Sequence, residues 1–442
     1  MRLHIDALAA GARGVGRTGN TPVFVPAVIP GEVVIVRIVR RARRHLEAKL
    51  LEVVEPSPWR QQPPCPAFDR CGGCSLQHVA SGRQLELKLD ILHDALRTIT
   101  GLEPGFSATR WPAPQPLGYR NRGQYPLGRQ AGRVVTGFFA PGSHRVVPVE
   151  RCLLHDRRID EAVGCVRAWA NHKKIAVYDE IRHRGLLRHA AARVAPGTGE
   201  LLLTLVVRQL RRLPHQDLLR RLRRRLPELV GLVLSENPAR TNVIFGKRLH
   251  TLWGRGQLRE KFMGLELELA PASFFQVNSA QARVLFERVL DFLDSPDGPV
   301  VDAYCGAGLL GLLMGQRGIS VLGIDSDAAA IASARRAAVE NGVAGVEFRR
   351  GRVETVLPRL VEQGLRPAAL VLDPPRRGCD RRVISAICSA AVPRLAYISC
   401  HPGTLARDLR LLLDGGFRLV HLEAVDMFPQ TAHLEVLAGL ER

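Results

Sequence analysis

Val300-Val301-Asp302-Ala303-Tyr304-Cys305-Gly306-Ala307-Gly308 reads as a strand running into a glycine turn. Glycine lets the backbone approach a ligand closely because no Cβ stands in the way. Alone, a Gly-x-Gly turn suits a dinucleotide equally well. Outward from it, Pro299 to Ala303, Ser320 to Ile324, Ala368 to Leu372 and Leu395 to Ser399 are short apolar runs separated by helical segments. That alternation predicts a parallel sheet covered on both faces, the doubly wound, Rossmann-like α/β arrangement. Ligands of such sheets sit beyond the carboxyl ends of the strands.

The residues at those ends carry the chemistry. Gly323-Ile324-Asp325 closes the second run with an acid suited to accept both hydroxyls of a ribose. Asp373-Pro374-Pro375-Arg376-Arg377-Gly378 closes the third; its prolines make an extended lip that holds Asp373 rigidly. Nothing resembles the lysine-containing phosphate loop of NTPases, so a nucleoside ligand is the reading, with a structural turn as the alternative. Ala396-Tyr397-Ile398-Ser399-Cys400-His401-Pro402 closes the fourth with a cysteine. A cysteine there is ordinarily a small buried apolar residue. A pyrimidine substrate changes that weighting, because carbon 5 of uracil accepts a methyl group only after a thiolate has added to carbon 6. The proton on carbon 5 then needs a base, and Glu435 in His433-Leu434-Glu435-Val436 lies on a late strand. By pattern alone Glu435 is an ordinary exposed glutamate. Enzymes that methylate exocyclic base nitrogens carry a Pro-Pro lip followed by an aromatic residue, and the arginine at 376 argues against that chemistry.

A length of 442 residues implies two or three domains, and 46% hydrophobic residues suffice for ordinary globular cores. The chain has neither a long uncharged apolar run nor the layout of a secretion signal, so a cytoplasmic location and no membrane partner are expected. Lys plus Arg number 63 against 42 Asp plus Glu, a formal charge of +21, which points to a polyanionic partner such as nucleic acid. An arginine-rich solvated surface is the competing explanation. Thr21 to Val28, Glu32 to Val39 and Leu46 to Val54 alternate as half-buried strands around a Pro30-Gly31 turn, predicting a small β-barrel over residues 1–57. Arg37, Arg40, Arg41, Arg43 and Arg44 are expected on the loop between its last two strands. Leu85, Leu89, Ile91, Leu92 and Leu96 mark an amphipathic helix, and Leu218 to Leu226 another whose arginines face solvent.

Nine cysteines, an odd and uneven set, do not form a disulfide framework. Cys65-x5-Cys71-Gly72-Gly73-Cys74 offers three thiols, and Cys152 a fourth. Zinc sites more often present two Cys-x2-Cys knuckles; the three-plus-one layout suits a 4Fe-4S cluster, with zinc the alternative. Cys165, Cys379 and Cys388 read as core.

Taken together, these motifs and Phe274-Phe275-Gln276-Val277-Asn278 resemble the RumA/RlmD family of 23S ribosomal RNA uracil-5-methyltransferases, relatives of the transfer-RNA enzyme TrmA, over nearly the whole chain. The resemblance implies three domains: a TRAM-like, OB-like β-barrel at 1–57, a central α+β iron-sulfur domain at 58–82 and 115–265, and a methyltransferase domain at 83–114 and 266–442. It implies S-adenosyl-L-methionine as cofactor, with Gln276, Tyr304, Asp325 and Asp373 contacting it or the flipped base. Cys65, Cys71, Cys74 and Cys152 would bind a 4Fe-4S cluster. Cys400 would be the nucleophile and Glu435 the base in forming 5-methyluridine. Ribosomal RNA is the expected substrate and a monomer the expected state. The alternatives are the same chemistry on transfer RNA, methylation of a base nitrogen, or a non-catalytic iron-sulfur RNA-binding protein. Three positions depart from relatives: Leu309 replaces a small polar residue, Asp325 a glutamate, and Arg352 a polar residue near the adenine.

Overall fold

The apolar run at the glycine turn forms a strand, Val300–Ala303, buried along its whole length. The computed structural model describes residues 1–102, 108–210, 213–294 and 296–442. These fall into two compact units: Met1–Pro64, Cys74–Pro114 and Gln281–Arg442 make the first, Cys65–Gly73 and Gln115–Ala280 the second. Residues 266–280, expected with the carboxyl-terminal part, thus belong to the second unit, and 58–64 and 74–82, expected with the cysteine domain, to the first. Part of the expected 83–114 segment, residues 103–107, lies outside the described residues.

In the first unit the sheet runs in the order Val346–Arg350, Val321–Asp325, Val300–Ala303, Ala369–Leu372, Arg394–Ser399, Glu435–Glu441, Arg418–Val425, Thr109–Trp111. The first five are mutually parallel. Glu435–Glu441 runs antiparallel to both of its neighbours. Strand order reverses at Val300–Ala303, whose two neighbours continue in opposite directions, and ligands of such sheets bind beyond the carboxyl end of the strand at such a point. Helices Val353–Glu362, Arg381–Ser389 and Pro402–Asp414 cover one core with Leu370, Leu372, Leu395 and Tyr397.

Helix Ser81–Thr100 joins that core. Leu85, Leu89, Leu92 and Leu96 recur at helical spacing and are all buried in it. It ends where Gly101 takes a left-handed φ of 72° and its N–H bonds the Arg97 carbonyl. A charged side chain is buried beside this stripe. Lys88, with none of its side chain exposed, donates from Nζ to Asp426 Oδ1 at 2.7 Å and to the Phe428 carbonyl at 3.0 Å. Burial lowers its pKa and the Asp426 carboxylate opposes that shift.

Also in this unit is a six-stranded sheet, in the order Arg2–His4, Val33–Arg41, Leu46–Glu55, Thr21–Val25, Arg13–Thr18, Ala7–Ala9. Leu3, Ile5, Val23, Val25, Val34 and Val36 fill its inner face. The arginine cluster is placed differently from the expectation. The strand Val33–Arg41 continues through Arg37, Arg40 and Arg41, and only Arg43 and Arg44 occupy the turn. Flexible stems let arginines stay exposed on a strand, so their charge did not end it. Leu8, Ala12, Ile29, Leu76, Val79 and Leu87 then pack the sheet's end onto the long helix.

The second unit holds a seven-stranded sheet, Val146–Pro148, Arg133–Phe139, Arg122–Gln130, Leu187–Val194, Leu201–Val207, Leu229–Glu236, Arg248–Gly254. Helices Arg157–His172 and Gln216–Arg225 pack on it through Trp169, Leu218 and Leu222. The arginines of the second helix, Arg220, Arg223, Arg224 and Arg225, are exposed as expected.

Removing one partner of a buried ion pair leaves the other charge uncompensated. Lys88→Met is therefore expected to lose about 3–5 kcal/mol of stability in denaturant unfolding, and Lys88→Met with Asp426→Leu to recover most of it.

Candidate active site

Beyond Val300–Ala303 the chain enters a turn with two backbone constraints. Tyr304 adopts a φ of +67°, a conformation that non-glycine residues hold only where their surroundings impose it. At Gly308, with φ +75°, a Cβ would come within 2.5 Å of the Phe348 ring and 2.7 Å of the Ala334 methyl. The turn stays open at Gly306, where a Cβ would meet nothing within 4 Å. Asp325 is tied to the turn: its Oδ2 accepts from the Gly306 N–H at 3.0 Å, and its Oδ1 accepts from the Asp327 N–H at 2.8 Å.

Two further acids crowd the crevice. Asp302 is 2% exposed, and its Oδ2 has no hydrogen-bond partner among the described residues. Burial and then the nearby Asp373 push its pKa up to about 7. Burial alone pushes Asp373 up to about 7. Crowded carboxyls with an unfilled acceptor beside an open glycine turn suit a cationic, hydroxyl-bearing nucleoside. Tyr304 interacts with Cys379, and its hydroxyl is pushed up by burial and then by that thiol.

The cysteine and glutamate meet through strand register. Ser399 pairs with Val436 in the antiparallel ladder of Arg394–Ser399 and Glu435–Glu441, so the next pair outward is Cys400 with Glu435. Cys400 is half-buried and Glu435 is 7% exposed. Burial, then the Glu435 carboxylate, raise the Cys400 pKa, and Arg376 opposes them. Burial, then Asp373, raise the Glu435 pKa well above the ordinary carboxylate value, and Arg376 again opposes.

Arg376 stands on the proline lip, which is pinned from behind. Its Nη2 lies 3.3 Å from His433 Nε2, and its carbonyl accepts from Thr404 Oγ1 at 3.2 Å. The fully buried Asp408 accepts from the Cys379 N–H at 2.7 Å and the Tyr397 hydroxyl at 2.6 Å. His401 Nδ1 accepts the Thr404 N–H at 3.2 Å and so caps helix Pro402–Asp414 behind the cysteine.

The first unit thus brings Tyr304, Asp325, Asp373, Cys400 and Glu435 to one sheet edge. Gln276 belongs to the second unit, where its carbonyl accepts from Asn121 Nδ2 at 2.9 Å. Of the departures, Leu309 opens helix Leu309–Gln316, and Arg352 pairs with Glu354 at 3.6 Å. Sequence reasoning missed Asp302 as a buried acid and His433 and Arg376 as neighbours of Cys400 and Glu435. Their only signal was adjacency to motifs.

The four cysteines are not displayed as one site. Cys65, Cys71 and Cys152 pack against Ala67, Ala140, Val147 and Val149 in the second unit, while Cys74 belongs to the first. Cys71 is raised by burial, opposed by the Gly73 N–H and reinforced by Cys65. The thiol donors suit soft metals, but among the described residues no three His, Cys, Asp or Glu side chains form a group able to hold a metal ion. No described helix is long and apolar enough to cross a membrane.

Comparison with known proteins adds to this geometry. The tRNA (uracil-5-)-methyltransferase family model matches residues 257–442, and the TRAM domain model matches residues 1–51. An uncharacterized RNA methyltransferase of Clostridium tetani is 35% identical over 98% of this chain and 95% of its own length. One from Gloeobacter violaceus is 38% identical over 99% and 95%. The crystal structure of Pyrococcus abyssi tRNA (uracil-54, C5)-methyltransferase in complex with S-adenosyl-L-homocysteine superposes with a TM-score of 0.81 at 28% identity, covering 100% of this chain and 99% of that one.

The crowding at Gly308 yields a test. Gly308→Ala is expected to displace the turn, lowering affinity for S-adenosylhomocysteine by about tenfold or more in calorimetry, with a stability loss of about 1–3 kcal/mol.

Proposed function

Because the chain belongs to the S-adenosylmethionine-dependent RNA (uracil-5-)-methyltransferase family, we propose that Cys400 is the nucleophile and Glu435 the base of its reaction. The carrying observation is the cross-strand register that sets Cys400 opposite Glu435 at the sheet's ligand-bearing edge. The Cys400 thiolate adds to carbon 6 of a uridine turned out of its stack, and carbon 5 becomes nucleophilic. S-adenosylmethionine supplies a methyl group made electrophilic by its sulfonium. Once carbon 5 is methylated, Glu435 removes its proton, the ring double bond re-forms and the carbon–sulfur bond breaks, returning the thiolate. Asp325 is assigned to the ribose hydroxyls, and Tyr304, Asp373 and Gln276 to the cofactor or the flipped base. Burial raises the pKa of both working groups, and the Arg376 guanidinium opposes that rise at each.

The RNA is proposed to be ribosomal, on the resemblance of the motif set to the ribosomal-RNA enzymes. Likeness to the Pyrococcus transfer-RNA enzyme favours transfer RNA as the second reading. Mapping 5-methyluridine in ribosomal and transfer RNA from cells with and without the protein decides between them. The exposed Arg37, Arg40, Arg41, Arg43 and Arg44 of the TRAM sheet would neutralise backbone phosphates. The three-domain division, a cytoplasmic site of action and a monomer belong to the same reading; both working groups come from one chain.

Cys65, Cys71, Cys74 and Cys152 are proposed to hold a 4Fe-4S cluster, whose role would be to order the cysteine segment. The support is the all-thiol donor set and the gathering of three of the four around one apolar cluster. Anaerobically purified protein is expected to contain iron and acid-labile sulfide, both lost in Cys71→Ser; stoichiometric zinc without sulfide overturns this reading.

Two outcomes test the mechanism. Cys400→Ala should abolish 5-methyluridine formation and adduct formation with 5-fluorouridine RNA while still binding S-adenosylhomocysteine; turnover by this variant excludes the mechanism. Both groups act deprotonated and burial raises both above their ordinary values, so kcat/KM should rise with pH as Glu435 and then Cys400 ionise, and fall as acid protonates Glu435.

A further inference from the structure

The segment 426–434, which delivers the chain to Glu435, has no helix or strand of its own, so side-chain bonds set its path. Gln84 of helix Ser81–Thr100, only 1% exposed, donates from Nε2 to Gln430 Oε1 at 2.9 Å. Its Oε1 accepts from the Gln430 N–H at 2.8 Å. The same Nε2 lies 3.1 and 2.9 Å from the carbonyls of Leu76 and Val79. Gln430 is equally buried, and its carbonyl accepts from the Ser75 and Leu76 N–H groups, each at 3.0 Å. It holds a φ of +67°, left-handed backbone that a glutamine keeps only where its neighbours over-determine it. One turn along the helix Lys88 grips Asp426 and the Phe428 carbonyl. On the far side Thr431 Oγ1 donates to that carbonyl at 2.8 Å and accepts from the His433 N–H at 3.2 Å.

We infer that Gln84 and Gln430 form a clasp that aims Glu435 at the uridine, making both of them positioning residues for the proton-removal step. The inference rests on reading Glu435 as the base. Removing a proton from carbon demands close placement of the carboxylate. Strand pairing fixes the Glu435 backbone only on its carboxyl-terminal side; the clasp fixes the approach from the other. Loosening it should therefore slow release of the product from the thiol more than it affects cofactor binding or adduct formation.

The experiment uses the full chain with the RNA in which its 5-methyluridine is mapped, quenched in denaturant so that covalent protein–RNA adduct can be counted on gels. Gln84→Leu is expected to slow 5-methyluridine release roughly 10- to 100-fold, with adduct accumulating as in Glu435→Gln and with unchanged affinity for S-adenosylhomocysteine. A lowered unfolding midpoint with normal turnover and no accumulated adduct overturns the clasp. If Gln84→Leu fails to fold, Gln430→Gly decides the same question, since glycine takes the left-handed backbone without strain and removes only the side chain. Glu435→Gln run alongside separates the two ideas. Accumulation in that variant but not in the clasp variants overturns the clasp alone, whereas no accumulation in Glu435→Gln overturns the base reading and the clasp with it.

Discussion

The antiparallel pairing of Arg394–Ser399 with Glu435–Glu441 inserts a reversed strand into an otherwise parallel edge of the sheet. In a parallel pair, both strands point their carboxyl ends at the crevice. Reversal brings the amino-terminal end of a strand to that rim, so the first residue of Glu435–Glu441 meets the residue just past the last of Arg394–Ser399. A sulfur and a carboxylate separated widely in the chain become direct cross-strand neighbours, and the remaining features of the rim adjust to that adjacency.

Electrostatics is the first adjustment. Asp302 and Glu435 are buried and Asp373 is half-buried; burial raises all three, and Asp373 adds repulsion at Asp302 and Glu435. Arg376 is the nearby cation that opposes the rise at both Cys400 and Glu435. The thiol and carboxylate are thus both raised by burial and both opposed in that rise by the same guanidinium. The proline lip matters because it sets where that cation stands. Asp408, Arg407 and Thr404 secure the lip from helix Pro402–Asp414, so the helix after the cysteine also governs the charge opposite it.

Mechanical support is the second adjustment. The segment entering Glu435 crosses the surface of helix Ser81–Thr100, whose apolar stripe buries Leu85, Leu89, Leu92 and Leu96 in the methyltransferase core. Gln84 and Lys88 belong to the same helix and bond the segment directly. Buried amides and an ammonium satisfied in this way rigidify a path, and the helix that bears them also packs against the six-stranded sheet through Leu87. The helix thereby serves the sheet core, the six-stranded sheet and the approach of the chain to Glu435.

Local patterning made much of this legible. The apolar runs of the parallel strands, the glycine turn, the proline lip and the stripe on the long helix follow from period and from backbone chemistry, and they appear at the expected places to within a residue or two. Cys400 was readable because it follows such a run directly. The arginines at 37, 40 and 41 misled, because charge in sequence suggests a loop while a strand tolerates exposed arginine, here with a register shift between Ile38 and Arg40. Asp302, His433 and Arg376 were marked only by standing in or beside motifs, and Gln430 not at all. Their importance comes from contacts such as that of Gln84 with Gln430, 346 positions apart, and from the register that pairs Cys400 with Glu435. Sequence by itself determined which segments become strands and helices, because those depend on side-chain period and turn chemistry within a few residues. Only tertiary structure decided which acid faces the thiol and what holds it there, because pairing register and burial are properties of distant segments brought together.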